Sequence, residues 1–195
     1  MTDTARAILT SFSVWRADQT SNSSDDLLGL WAERAAPGNS VKLLRQLPVN
    51  SLQASDRIIA EIEREQPDYV LCGGMAESRA FLELETRARC AESVRYSPAN
   101  LGAWCRGLRR TRLSHDAGTF VCNGTYYHVL QWIQDRGWPV QCVFIHVPVL
   151  TASNQLDILS DFSAIVQNCL VNRALLTAAL RVVDGERGQP NIRTQ

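Results

Sequence analysis

The chain has 195 residues, of which 45% are hydrophobic, so it is long enough to bury one sizeable core. Its 20 basic residues balance its 20 acidic residues, and no overall field exists to gather nucleic acid or an anionic membrane surface. No segment is long and apolar enough to span a bilayer, and the first residues are typical of a core strand and not of a signal peptide. We therefore expect a cytoplasmic protein with no nucleic-acid or membrane partner.

Strands and helices are predicted to alternate through the first half of the chain. Apolar residues predict a strand over residues 6–12, and a polar, turn-rich stretch leads to a helix that begins near Ser24. A second strand over residues 41–49 is followed by a helix from about Ser51, whose apolar residues recur at helical spacing. Residues 67–74 carry an apolar run between a proline and two glycines, which indicates a buried strand that ends in a turn.

The alternation is less clear over residues 80–112 and then becomes clear again. The segment GTFVCN is predicted to be a strand that leads into an amphipathic helix closing at Gly137. Residues 140–148 form a nearly all-apolar run, as expected of a strand whose two faces are both covered. A long final helix is predicted from about Asn154 to Val183.

This order of elements predicts the α/β class, with a mostly parallel sheet and helices on both faces in a three-layer αβα arrangement. We expect one domain over residues 1–183 and a polar, flexible C-terminal tail over residues 184–195. Functional sites in such sheets lie at the carboxyl ends of the strands.

The six cysteines do not follow a pattern typical of disulfides or zinc sites. They are spread along a chain that is large enough to need no covalent staples, and neither a CxxC nor an HxxxH pair is present. We therefore predict no metal site, and we expect most of the cysteines to be small buried residues.

Two residues near strand ends have the chemistry of a nucleophilic pair. Cys122 lies at the predicted junction of strand and helix, where backbone N–H groups and the helix dipole would favour its thiolate and could hold an oxyanion. His146 lies near the end of its strand, just before Pro148, and a Cys–His pair with an acidic partner is typical of acyl transfer through a thioester. Taken alone, each of the two residues is also explained by ordinary core packing.

The motifs around these residues resemble those of the pyroglutamyl peptidase I family, the pyrrolidone carboxyl peptidases. The block SHDAGTFVCN, followed 24 residues after its cysteine by the histidine of FIHVP, is similar to the family's Ser-x-x-Ala-Gly-x-x-x-Cys-Asn block and to its histidine before Val-Pro. Upstream, GMAESRAFLELE resembles the family's Gly-x-Ala-Gly-Gly-Arg-x-x-Ile-x-x-Glu-Arg motif, with Arg79, Leu82 and Glu85 in register. The resemblance runs from residue 8 to about residue 150, in the family's order, and it implies an open twisted sheet between helix layers, in agreement with the predicted class.

The resemblance implies a role for each of these residues. Cys122 would be the nucleophile, His146 the general base and Glu85 the group that orients the histidine. Glu83 lies two residues from Glu85 and would point to the same side of a strand, so it is the alternative orienting group. Arg95 matches an arginine that the family keeps near the oxyanion. No metal or organic cofactor is implied.

The implied substrate is a peptide with an amino-terminal pyroglutamyl residue, and homo-oligomers are frequent in the family. The flat ring of that residue would lie between Phe12 and Trp15, although core packing explains Trp15 equally well. The Gly-Gly of the family's arginine motif is Glu77-Ser78 in this chain, so the substrate pocket is altered. Two alternatives therefore remain: the same triad acts on another small acyl or amide substrate, or the chain is a non-catalytic relative.

The segment between Glu85 and Cys122 is shorter than the resemblance implies. Cys122 follows Glu85 by 37 positions, whereas the family carries a longer segment with a projecting loop beside the substrate. Leu101, Trp104 and Leu108 predict that a helix survives in this interval. An open cleft on the leaving-group side predicts low affinity and weak discrimination among the residues that follow pyroglutamate.

Overall fold

The computed structural model describes residues 5–171 of the chain. In chain order its elements are β1 (Ala7–Phe12), α1 (Ser23–Ala35), β2 (Val41–Leu47), α2 (Ser51–Glu65), β3 (Tyr69–Met75), β4 (Leu82–Glu85), β5 (Arg87–Cys90), β6 (Ser93–Tyr96), α3 (Leu101–Trp104), β7 (Thr111–Ser114), α4 (Val121–Asp135), β8 (Gln141–Val147) and α5 (Gln155–Val171). The strands and helices predicted up to residue 74, and the strand before Pro148, are confirmed with bounds that differ by at most two residues. Within residues 5–171, no helix is long and apolar enough to cross a membrane.

Six strands form the central sheet in the order β2-β1-β3-β8-β4-β7. The strands β2, β1, β3 and β8 are parallel, whereas β4 runs antiparallel to β8 and parallel to β7. The strands β5 and β6 form a separate antiparallel pair. The sheet is therefore mixed but mostly parallel, which confirms the predicted α/β class.

Helices cover both faces of the sheet, and each face has its own hydrophobic core. On one face, α1 and α5 pack together through Trp31 and Phe162, whose ring centroids are 6.3 Å apart in an edge-to-face arrangement. On the other face, α2 and α4 bury residues such as Ile58 and Tyr126. The candidate catalytic residues lie on this second face.

Side-chain caps explain where the first two helices begin. The Asn22 side chain accepts a hydrogen bond from the backbone N–H of Ser24 at the start of α1. The Asn50 side chain accepts one from the N–H of Gln53 at the start of α2. Each cap satisfies a donor that the helix itself leaves unpaired, so the sequence fixes both starts locally.

The segment that was unclear in the sequence contains the short strands β4 to β7. The helix predicted from Leu101, Trp104 and Leu108 is confirmed only in part, as the single turn α3, which buries Leu101 and Trp104 and ends before Leu108. The end of the final helix predicted near Val183 and the tail over residues 184–195 lie outside the described residues, so the predicted domain bounds stay a prediction.

Candidate active site

Three neighbouring strands bring the candidate catalytic residues to one face of the sheet. Gly74 of β3 pairs in parallel register with His146 of β8, and Glu85 of β4 pairs with Phe144 of β8. Because side chains on a strand alternate between faces, His146 lies on the same face as Phe144, and Glu85 shares that face. The register sets Glu83 directly opposite His146 and Glu85 two residues along on the same face, so the side-chain contacts, and not the register, decide which carboxylate meets the imidazole.

The structure joins His146 to Glu85 directly. Nδ1 of His146 lies 2.6 Å from Oε1 of Glu85, and both side chains are buried. With the carboxylate ionised, Nδ1–H donates this hydrogen bond, and Nε2 of the neutral ring is left as the proton acceptor. The Tyr126 hydroxyl of α4 donates to the Glu85 backbone carbonyl at 3.0 Å, so the strand that carries the carboxylate is tied to the helix above it.

Glu83 is equally buried but has different partners. Arg79 and Arg112 both pair with its carboxylate, and Nε of Arg112 donates to Oε1 at 2.7 Å. Arg79 also donates to the backbone carbonyl of Asp116, in the loop before α4. The structure thus places Glu85, and not Glu83, at the histidine, and it uses Glu83 to hold the two arginines beside the site.

Cys122 is the second residue of α4, and the loop before it corrects one prediction. The strand predicted at GTFVCN is wrong, because residues 115–120 form a loop after β7. The Asp116 side chain accepts a hydrogen bond from the N–H of Gly118, whose φ of 77° is favourable for glycine, and together these features make a turn. The apolar residues of this segment are therefore not part of the sheet.

The first turn of α4 places backbone N–H donors next to the thiol, and that of Cys122 itself hydrogen-bonds the thiol. Its N-cap residue, Phe120, makes no side-chain capping bond. The first N–H groups of a helix have no partner within the helix, so the donors around Cys122 are available to hold an oxyanion.

A glycine gives the thiol its place beside the histidine. A Cβ added at Gly74 would lie 2.9 Å from Sγ of Cys122 and 2.6 Å from a ring carbon of Phe144, so only glycine leaves room for both groups. The thiol therefore lies directly over Gly74, whose register partner is His146. Since paired strands are about 4.8 Å apart, the thiol and the imidazole face the same small volume.

The prediction that the start of α4 stabilises the Cys122 thiolate is wrong for the protein without substrate. The pKa of this thiol is raised to about 12, mainly by burial, with a smaller increase from the Glu85 carboxylate and a partial decrease from a backbone hydrogen bond. The thiol is therefore protonated at neutral pH. A nucleophilic role requires transfer of its proton to a base as attack begins, and the imidazole of His146 is the base at hand.

A cavity of about 360 Å³ opens above the thiol and the imidazole. Both residues predicted for substrate binding, Phe12 and Trp15, line it. Phe12 is buried, with its ring centroid 6.4 Å from that of Phe144, whereas Trp15 is 40% exposed at the edge. The wall on the other side comes from the loop before α4, including Phe120.

Arg95 is not brought to this cavity. It lies on β6, and its guanidinium pairs with Asp135 at 3.1 Å and donates to Gln134. These partners are at the last turn of α4, about 18 Å along the helix from Cys122. The structure therefore corrects the expected position of this arginine, because its charge is used to fix the hairpin to the end of the helix.

Sequence reasoning missed the roles of Gly74, Phe120 and the Arg79–Glu83–Arg112 cluster. The glycine pair at the end of β3 was a usable signal, since glycine in a strand often marks a close approach of another group. Among residues 5–171, no group of three histidine, cysteine or acidic side chains could hold a metal ion, and all six cysteines are free thiols.

Comparisons with known proteins point to one group of enzymes. The family model described as pyroglutamyl peptidase matches residues 105–183. The pyrrolidone-carboxylate peptidase of Vibrio vulnificus strain CMCP6 is 29% identical over 181 residues, which covers 77% of this chain and 83% of that protein. The enzyme of the same description from Brevibacillus brevis is 27% identical over 143 residues, covering 58% of this chain and 66% of its own.

Solved structures with related descriptions share the fold. The pyrrolidone carboxyl peptidase from Thermococcus litoralis has a TM-score of 0.70 at 18% identity and covers 98% of this chain and 99% of its own. Pyroglutamyl peptidase I from Bacillus amyloliquefaciens has a TM-score of 0.69 at 19% identity, with coverages of 83% and 94%.

Proposed function

Since this chain belongs to the pyroglutamyl peptidase family, we propose that it removes amino-terminal pyroglutamyl residues from peptides by means of Cys122, His146 and Glu85. The observation that carries the assignment of residues is the buried contact of 2.6 Å between His146 and Glu85, beside a thiol that lies over the register partner of the same histidine. A core histidine needs no buried carboxylate partner, whereas a general base must be oriented.

The first half of the reaction forms a thioester. Sγ of Cys122 attacks the carbonyl carbon that joins the pyroglutamyl ring to the peptide, and the thiol proton passes to Nε2 of His146. Backbone N–H groups in the first turn of α4 hold the negative oxygen that develops. The C–N bond then breaks, and the leaving amine takes the proton from His146.

The second half releases the acid. Water attacks the thioester carbonyl, its proton passes to His146, and the C–S bond breaks to give free pyroglutamate and the Cys122 thiol. Glu85 stabilises the imidazolium that forms in both halves and keeps Nε2 pointed at the sulfur. This role suits a buried side chain with 0% exposure, because its charge acts there at low dielectric.

One observation favours a second candidate substrate class. Ser78, which stands where the family has glycine, lines the cavity, and the neighbouring Glu77 pairs with Arg16 at 2.6 Å. The altered wall supports the alternative that the same triad hydrolyses another small acyl or amide compound. A cytoplasmic location and assembly into homo-oligomers remain predictions.

The test is hydrolysis of a fluorogenic pyroglutamyl amide by the purified full-length chain. We expect turnover by the parent protein and loss of turnover in Cys122→Ala and in protein treated with iodoacetamide. The matched control is Cys105→Ala, which should retain turnover because its thiol lies outside the cavity. Absence of turnover by the parent protein, with hydrolysis of other small acyl amides, would support the second substrate class. Full activity of Cys122→Ala would refute the assigned mechanism.

A further inference from the structure

A second cavity adjoins the active-site cavity across the loop that precedes α4. It has a volume of about 380 Å³, and it shares the residues Thr119, Phe120 and Val121 with the first cavity. The Phe120 side chain is 84% exposed between the two. The two cavities therefore form one continuous surface with an apolar ridge, and we call the second one the distal cavity.

The loop that the two cavities share is about as long as two residues of a peptide. The shared residues Thr119 to Val121 span two peptide units, or at most about 7 Å. An extended peptide advances about 3.3 Å per residue. A leaving peptide that runs from a carbonyl at Cys122 across this loop would bring its second residue to the distal cavity.

The charge in the distal cavity is positive. Arg89 lines it, and the Arg89 backbone is fixed to the first turn of α4 because its N–H donates to the Asn123 side chain at 2.9 Å and its carbonyl accepts from the same side chain at 2.8 Å. Among residues 5–171, no aspartate or glutamate lines this cavity, and no ion pair holds the Arg89 guanidinium. The cavity therefore offers a cation without a built-in counter-ion.

We propose that the distal cavity binds the leaving peptide, and that Arg89 attracts a carboxylate carried by the second residue after pyroglutamate. The inference rests on the proposed function. It differs from the weak discrimination expected from the sequence, since the surface past Phe120 supplies a contact where the projecting loop is missing. The carboxylate has two sources, the free C-terminus of a tripeptide and an acidic side chain at the same position.

The experiment compares three substrates of equal length with the full-length chain. They are pyroglutamyl-Ala-Ala with a free carboxylate, the same tripeptide as its C-terminal amide, and pyroglutamyl-Ala-Asp amide. We expect kcat/KM for each carboxylate-bearing substrate to exceed that of the neutral amide by about three- to fivefold at low salt, because an exposed ion pair contributes modestly. The ratio should fall toward one as ionic strength rises.

Substitutions assign the effect to one residue. In Arg89→Gln the ratio should fall to about one, and in Arg89→Lys, which keeps the charge, it should persist. The matched control is Arg106→Gln, an exposed arginine that lines neither cavity, in which the ratio should match the parent value.

The outcomes separate this inference from the proposed function. Equal kcat/KM values for all three substrates, or a ratio unchanged in Arg89→Gln, would overturn the inference while leaving the pyroglutamyl peptidase activity in place. A preference for only one of the two carboxylate sources would support the cavity and identify which source binds. Failure of the parent protein to cleave any pyroglutamyl substrate would overturn both.

Discussion

Replacing Gly74 by alanine should cut catalysis more sharply than it cuts stability. The added methyl would lie 2.9 Å from Sγ of Cys122 and 2.6 Å from a ring carbon of Phe144. Comfortable carbon contacts need about 3.5–4.0 Å, so both groups must move by roughly 0.6–1.4 Å. A misplacement of about 1 Å can cost a hundredfold in rate, and we therefore expect kcat to fall by about 10- to 100-fold.

Stability should fall by the amount typical of an overpacked core. Inserting a methyl costs about 1–3 kcal/mol. For a chain of this size, that corresponds to a decrease in Tm of about 2–12 °C. The protein should therefore remain folded at assay temperature while its activity is largely lost.

The assay measures kcat and KM on a fluorogenic pyroglutamyl amide, together with thermal unfolding. Gly38→Ala is the matched control, because a Cβ at Gly38 would meet no atom within 4 Å. We expect near-parental kcat and Tm for this control. Parental kcat in Gly74→Ala would refute the inferred position of the thiol over β3.

Three further predictions concern groups around and beyond the site. Glu85→Gln should lower kcat by about a hundredfold or more, because the histidine loses its orienting carboxylate. Glu83→Gln, which leaves two arginines without their carboxylate, should mainly lower Tm. The reverse ranking of the two variants in kinetics and thermal unfolding would contradict the assignment. Arg95→Gln should leave kcat within about twofold of the parent value, since its partner is Asp135 at the far end of α4, and a hundredfold loss would restore the oxyanion role. Burial raises the pKa of Tyr69 to about 12, so the unfolded chain releases this proton above pH 10 while the native state keeps it. The free energy of unfolding should therefore fall as pH rises from 10 to 12. In denaturant titrations, Tyr69→Phe should reduce that slope by about 1.4 kcal/mol per pH unit.

Much of the sheet could be predicted because its main strands are apolar runs bounded by clear turn residues. The strand Gln141–Val147 is apolar except at Gln141 and His146, and the helices at Ser23 and Ser51 begin after asparagine caps. The short strands β4 to β7 escaped prediction because their sequences, such as LELE and RARC, are rich in charge. Burial of Glu83 and Glu85 depends on partners far away in the sequence, which no local pattern reveals.

The candidate site was only partly predictable for a related reason. Motif spacing was enough to select Cys122, His146 and Glu85, but side-chain direction depends on tertiary contacts. Arg95 matches the motif in sequence and yet pairs with Asp135. The pKa of Cys122 was expected to fall at a helix start, and burial raises it because desolvation is the larger effect.

Trapping the covalent intermediate is the most direct test of the central claim. The full-length chain would be mixed with a pyroglutamyl amide, quenched in acid within the first turnovers, digested and mapped by mass spectrometry. We expect a pyroglutamyl adduct on the peptide that contains Cys122, and none in Cys122→Ala. Turnover with the adduct on another cysteine, or with no covalent adduct in protein quenched at saturating substrate, would contradict the account.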